Sequence, residues 1–190
     1  MTLPTKKDDN LENKNSTLAN RPKVGILQKI AAQKRAFLVD TSGSMDEIVT
    51  DGPKIDIVNG LLRSLKDELS LTRLFEFNSD VHEVNTSKEF VNFYPTGGTA
   101  LHLAFQEMKE KGIKDIVLLT DGFPDLPSAA LAESRGLKID IVYIGPSPTP
   151  QFLKDLAAAN GGRFQDQNML KSGSSLLLKE KIKGLLTSGK

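Results

Sequence analysis

Short apolar runs that alternate with stretches of helical spacing are the feature that most restricts this chain. RAFLVD (35–40), TRLFEF (72–77), DIVLLTD (115–121) and KIDIVYIG (138–145) are compact and apolar, and they read as buried strands. Between the first two, residues 53–69 carry Ile55, Val58, Leu61, Leu62, Leu65 and Leu69 at helical spacing. TALHLAFQEMKEKG (99–112) is a second helix that stops at Gly112. DLPSAALAESRG (125–136) is a third, with Asp125 as its expected cap and Gly136 as its stop. TPQFLKDLAAANGG (149–162) is a fourth, with Thr149 as N-cap and Pro150 at the first helical position. RFQDQ (163–167) reads as a short edge strand and LLLKEKIKGLL (176–186) as a final helix. VHEVN (81–85) follows TRLFEF across NSD as a hairpin partner. The expected fold class is therefore α/β: doubly wound and Rossmann-like, a mostly parallel central sheet with one antiparallel edge strand and helices on both faces.

A length of 190 residues suits one domain with a real core. Residues 1–20 are polar and read as a flexible tail, and 21–33 as a short helix opened by Pro22, with Val24, Ile26, Leu27, Ile30 and Ala31 on one stripe. Residues 34–190 form the expected α/β domain. A net charge of +1 supplies no basic field, which argues against a nucleic-acid partner. The absence of cysteine excludes disulfides, thiolate catalysis and cysteine-bound zinc. No leader-like segment and no apolar run of membrane length is present, so the expected location is cytoplasmic, with no membrane partner.

Two of the apolar strands end on aspartate, Asp40 and Asp121. In a doubly wound sheet, ligands bind outside the carboxyl ends of the strands. After Asp40 come Ser42 and Ser44, two residues apart, which in an extended turn face the same way; Gly43 lets the backbone bend between them. YPTGGTAL (94–101) brings Thr99 to the start of a helix, where a capping hydroxyl is expected. Asp40, Ser42, Ser44, Thr99 and Asp121 all offer oxygen. Such a set suits a hard cation, magnesium first, then manganese or calcium.

DTSGSM, TGGTAL and LLTDG, in this order, resemble the von Willebrand factor A (VWA) domain family, whose metal-ion-dependent adhesion site has the pattern D-x-S-x-S, a distant T and a distant D. The resemblance covers about residues 34–187 and meets all five motif positions. It implies that Ser42, Ser44 and Thr99 give hydroxyls to the metal, while Asp40 and Asp121 act through water or by orienting those hydroxyls. It also implies a binding module, not an enzyme. The resemblance further implies that the metal's last position is completed by an Asp or Glu of a partner protein. Small intracellular members of the family are often encoded beside AAA+ ATPases, kinases or phosphatases, which makes a protein of one of these classes the expected partner.

The alternatives are a metal-assisted phosphohydrolase, which wants a second acid where Ser42 stands, and a scaffold whose metal is structural only. A phosphate-cradling role for Gly97-Gly98 fails for want of a Gly-Lys-Ser/Thr sequence. Asp46, Glu47 and Asp51 read as solvated loop acids rather than a second metal site. His82 and His102 read as surface or packed histidines, and Phe123 divides evenly between loop packing and the rim of the site.

Overall fold

A computed structural model describes residues 35–69, 72–86, 92–146, 148–168 and 174–187. The expected tail (1–20) and the expected helix at 21–33 lie outside the described residues. Strand β1 (Arg35–Asp40) is buried at every position. A 3-10 turn (Gly43–Asp46) and a two-residue-per-strand hairpin, β2 (Ile48–Val49) with β3 (Gly52–Pro53), lead into helix α1 (Lys54–Ser64) and a single turn, α2 (Lys66–Leu69). There follow β4 (Arg73–Phe77), β5 (Val81–Val84), α3 (Leu101–Glu110), β6 (Asp115–Thr120), α4 (Pro127–Glu133), β7 (Lys138–Gly145), α5 (Gln151–Ala159), β8 (Phe164–Asn168) and α6 (Ser174–Thr187).

The main sheet has six strands in the order β5-β4-β1-β6-β7-β8. All pairings are parallel except β4 with β5, where Leu74 faces Val84 and Phe77 faces Val81. The mostly parallel sheet and its antiparallel edge strand are thus as the sequence pattern predicts. Side chains alternate across the sheet with a period of two. On one face Phe37, Val39, Val117 and Leu119 pack with Val58, Leu61 and Leu62 of α1 and Leu178, Ile182 and Leu185 of α6. On the other, Leu38, Phe75, Phe77, Ile116, Leu118 and Ile141 pack with Phe105 and Met108 of α3 and Leu153 and Leu156 of α5. The inner strands β1, β6 and β7 are buried on both faces, which is why their runs read as nearly continuous apolar segments.

Local details differ from the sequence expectation. The helix expected over 53–69 breaks at Leu65, whose φ of −107° and ψ of 18° leave the helical region. Its N–H still bonds the carbonyls of Leu61 and Leu62, so the chain re-enters a helical turn at once. Helices α3, α4 and α5 each begin one residue later than the capping signatures suggest, after Ala100, Leu126 and Pro150. Thr149 sends its hydroxyl across to the Asp166 carboxylate of β8 instead of capping α5.

The turn from α5 into β8 is packed against the neighbouring strand. Asp140, buried in β7, accepts the Arg163 N–H at 2.7 Å and its guanidinium at 2.8 Å. Burial pushes this carboxyl upward, but the bonds and charge of Arg163 outweigh it and hold it below the ordinary range. A Cβ on Gly162 would lie 1.8 Å from the Ile139 carbonyl oxygen, a backbone atom that has nowhere to go. Gly162→Ala should therefore destabilise the fold by about 1–3 kcal/mol or more. Gly60→Ala, on the exposed side of α1 with nothing within 4 Å of the new Cβ, should stabilise it by about 0.4–1 kcal/mol. Urea unfolding of the two variants checks this contrast; equal effects would place the Gly162 turn wrongly.

Candidate metal centre

The sheet order reverses direction at β1: the chain moves first to β4 on one side, then to β6 on the other. Such a switch point opens a crevice at the strand carboxyl ends. Asp40, the last residue of β1, sits at its floor with no solvent exposure. Both carboxylate oxygens are engaged: Oδ1 accepts the Ser42 N–H at 2.9 Å, and Oδ2 accepts the Thr120 hydroxyl at 2.5 Å. Asp40 thereby fixes the loop after β1 to the end of β6.

The loop then places both serines together. Ser42 is extended (φ −64°, ψ 164°) and the 3-10 turn begins at Gly43, so the stretch is not extended throughout as the spacing argument assumes. The hydroxyls nevertheless meet, with Ser42 Oγ and Ser44 Oγ 3.1 Å apart. Ser44 Oγ donates to Asp121 Oδ1 at 2.8 Å.

A third loop closes the site. Buried Asn59 of α1 brackets Phe93, donating to its carbonyl at 3.0 Å and accepting its N–H at 2.9 Å. From that anchor the chain runs to Gly97, whose carbonyl accepts the Gly43 N–H at 3.1 Å. Gly97 has φ of 69°, and a Cβ there would meet Ser79 Oγ at 2.7 Å, so glycine is required twice over. Asp125 is used here rather than as a helix cap: its Oδ2 accepts the Thr99 N–H at 2.8 Å, and its own N–H donates to the Thr99 carbonyl at 3.0 Å. The result is an open cleft of about 460 Å³ whose walls include Ser42, Ser44, Thr99 and Asp121. Of the five residues singled out in the sequence, four line the cleft and Asp40 lies beneath them.

The comparisons with known proteins bear on the fold. No protein-family model matches the chain, and no curated protein matches it. Solved structures do. A conserved hypothetical protein BatB from Bacteroides thetaiotaomicron superposes with a TM-score of 0.57 at 16% identity, over 80% of this chain and 97% of that one. A von Willebrand factor type A protein from Catenulispora acidiphila superposes with a TM-score of 0.61 at 20% identity, over 80% of this chain and 42% of the other. The pilus adhesin SpaC from Lactobacillus rhamnosus GG gives 0.57 at 13%, over 81% of this chain and 30% of that chain. The chain has the von Willebrand factor A fold.

Within this VWA fold the donor chemistry suits a small hard cation. Oxygens bound to one octahedral ion at about 2.1 Å are about 3 Å from their neighbours. The Ser42–Ser44 and Ser44–Asp121 contacts, at 3.1 and 2.8 Å, have the spacing of adjacent corners. Among the described residues no three histidine or acidic side chains converge as a metal-binding group, so a cation held here would take much of its coordination from hydroxyls.

The sequence reading passed over Lys54 and took Glu47 for a solvated loop acid, whereas both line the cleft. Lys54 opens α1, yet its side chain is 2% exposed. Its ammonium donates to Asp121 Oδ2 at 2.8 Å, to the Ser44 carbonyl at 3.5 Å and to the Glu47 carboxylate. Burial works against the charged form, but the bonds to Asp121 and Glu47 outweigh it and hold the Lys54 pKa above its ordinary value. One signal was present: a cation at a helix N-terminus opposes the macrodipole and needs a local reason. Asp46, Asp51 and His102 do not line the cleft. Phe123 does, half exposed, with its ring 5.2 Å from that of Phe152, so it both packs and rims the site.

Burial raises the Asp40 carboxyl to about 6, against the smaller opposing effect of its bonds from Ser42 and Thr120. Its unfolded value is about 3.9. Between these values the folded chain binds the extra proton, so the stability from this group is full below about pH 4 and is lost as pH rises through 6. In chelator, the stability of wild type relative to Asp40→Asn, which does not titrate, should fall between pH 4 and about 6.5. Chemical denaturation across that range checks it; a flat difference would mean Asp40 is already ionised in the folded chain at low pH.

Proposed function

We propose that this chain is a metal-dependent protein-binding module. Its cleft holds a divalent cation, magnesium by preference, and the cation is completed by an Asp or Glu side chain of a partner protein. The observation that carries this reading is the convergence of Ser42, Ser44, Thr99 and Asp121 from three loops on one open cleft. The Ser42, Ser44 and Thr99 hydroxyls would hold the ion. Asp40 positions Ser42 from below, and Asp121 orients Ser44. The ion supplies an electrophilic point of contact that neutral hydroxyls do not quench. The half-exposed Phe123 ring gives a partner an apolar contact beside it. The VWA fold of an adhesin such as SpaC supports binding as the role. Among the described residues no helix is long and apolar enough to cross a membrane, and a cytoplasmic partner fits the reading.

Phosphohydrolase chemistry is weaker on the same geometry. A nucleophilic aspartate needs an oxygen free to attack, whereas Asp40 is fully buried with both oxygens accepting hydrogen bonds. The residue two positions on is Ser42, which is no general acid.

Magnesium or manganese at about a hundredfold excess over Kd should add about 2.7 kcal/mol to stability, because the ion binds only the folded chain. Ser44→Ala should lose most of that gain while leaving the apo stability within about 1 kcal/mol, as Ser44 is exposed. Thermal unfolding with and without the ion measures both. For the partner, affinity chromatography with and without magnesium, followed by mass spectrometry, selects candidates. A double cycle then sets chelator against an acid-to-amide change in the partner. The two losses should overlap, since they remove one bond; fully additive losses would mean metal and acid act separately.

A further inference from the structure

We propose that Lys54 is a tethered cation that competes with the divalent ion for Asp121, so that metal entry requires its ammonium to withdraw toward Glu47. This rests on the metal-binding reading above and concerns how that site is kept when no ion is bound. The Lys54 side chain reaches the cleft from the buried start of α1, and its stem is enclosed by the protein. A position that needed only to fill the core would take leucine or methionine without the cost of burying a charge. The ammonium instead finds a carboxylate on each side. Asp121, with its side chain 1% exposed, lies on the inner side; Glu47, 62% exposed, lies on the outer.

In this arrangement both Asp121 oxygens are committed, Oδ1 to Ser44 and Oδ2 to Lys54. The acids around the cleft, Glu47, Asp121 and Asp125, with Asp40 beneath, would repel one another in an empty site. Lys54 neutralises the inner part of that charge and keeps Ser44 bonded to Asp121. A divalent ion drawn to the serines would stand within a few ångströms of the ammonium, and two positive charges so close in a partly buried site repel strongly. Glu47 provides the second anchor: it already bonds the ammonium, and it stands nearer to solvent. The Tyr143 hydroxyl, also in the cleft wall, donates to the Pro146 carbonyl and offers the ammonium no negative charge. The cleft therefore has a cation of its own, and the wild-type affinity for metal is set by the difference between the two.

The test is manganese binding by calorimetry and by electron paramagnetic resonance, on the full chain, for wild type, Lys54→Met, Lys54→Gln and Lys54→Met combined with Ser44→Ala. Removing the ammonium should tighten manganese binding by about tenfold or more in both single variants, and adding Ser44→Ala should abolish the gain. Wild type that binds weakly or not at all beside a tight Lys54→Met supports the proposal in its strongest form. Equal affinity in wild type and both single variants overturns it and leaves the metal reading intact. No binding in any protein overturns both. Should the single variants unfold in chelator, because Asp121 is left buried and unpaired, circular dichroism decides: refolding on manganese addition supports the exchange of one cation for another, and failure to refold at saturating manganese overturns it.

Discussion

The Asp40 carboxylate is the hinge of this site. It ends β1 wholly out of solvent and takes one hydrogen bond from its own loop, at Ser42, and one from the neighbouring strand, at Thr120. A buried carboxylate is costly unless paired, so these two bonds are not optional. Because Thr120 belongs to β6 and Ser42 to the loop after β1, satisfying Asp40 brings together the two strand ends that carry the serines and Asp121. The third loop is secured independently, through Asn59 to Phe93 and Asp125 to Thr99. The loops of the cleft are thus held mainly by carboxylate and amide side chains bonded to backbone groups, while the serine hydroxyls facing it bond one another and Asp121.

Its electrostatics follow from that construction. Four acids gather at one sheet edge of a chain whose net charge is only +1. The pressure shows in two ways. Asp40 is pushed upward toward neutrality by burial. Asp121 is met by the ammonium of Lys54, which lies buried at the wrong end of a helix for a cation. The first comes chiefly from burial, with the Asp121 charge adding least; the second answers the charge of Asp121 directly.

The strand and helix order was legible because burial on both faces makes apolar runs, and helices make periodic ones. The antiparallel edge was legible from NSD between TRLFEF and VHEVN. Asp40, Ser42, Ser44, Thr99 and Asp121 stood out because hydroxyls and acids at strand ends have few structural uses together. The errors share a cause. Asp125 and Thr149 carry the local signature of helix caps, but each side chain serves a partner far along the chain, Thr99 and Asp166. Lys54 and Glu47 look like solvated charges in a polar stretch; their pairing depends on the hairpin β2–β3, which folds α1 back beneath the first loop. Such contacts are set by tertiary structure, and local spacing does not encode them.

The central claim is that one divalent ion sits among the serine hydroxyls. A crystal of the chain grown in manganese, with an anomalous difference map, tests it most directly. The account predicts a single peak about 2.0–2.3 Å from both Ser42 Oγ and Ser44 Oγ, with the Lys54 ammonium withdrawn from Asp121 onto Glu47. A map at saturating manganese with no peak between the serines, or with its peak over Asp46 and Asp51 instead, would contradict it.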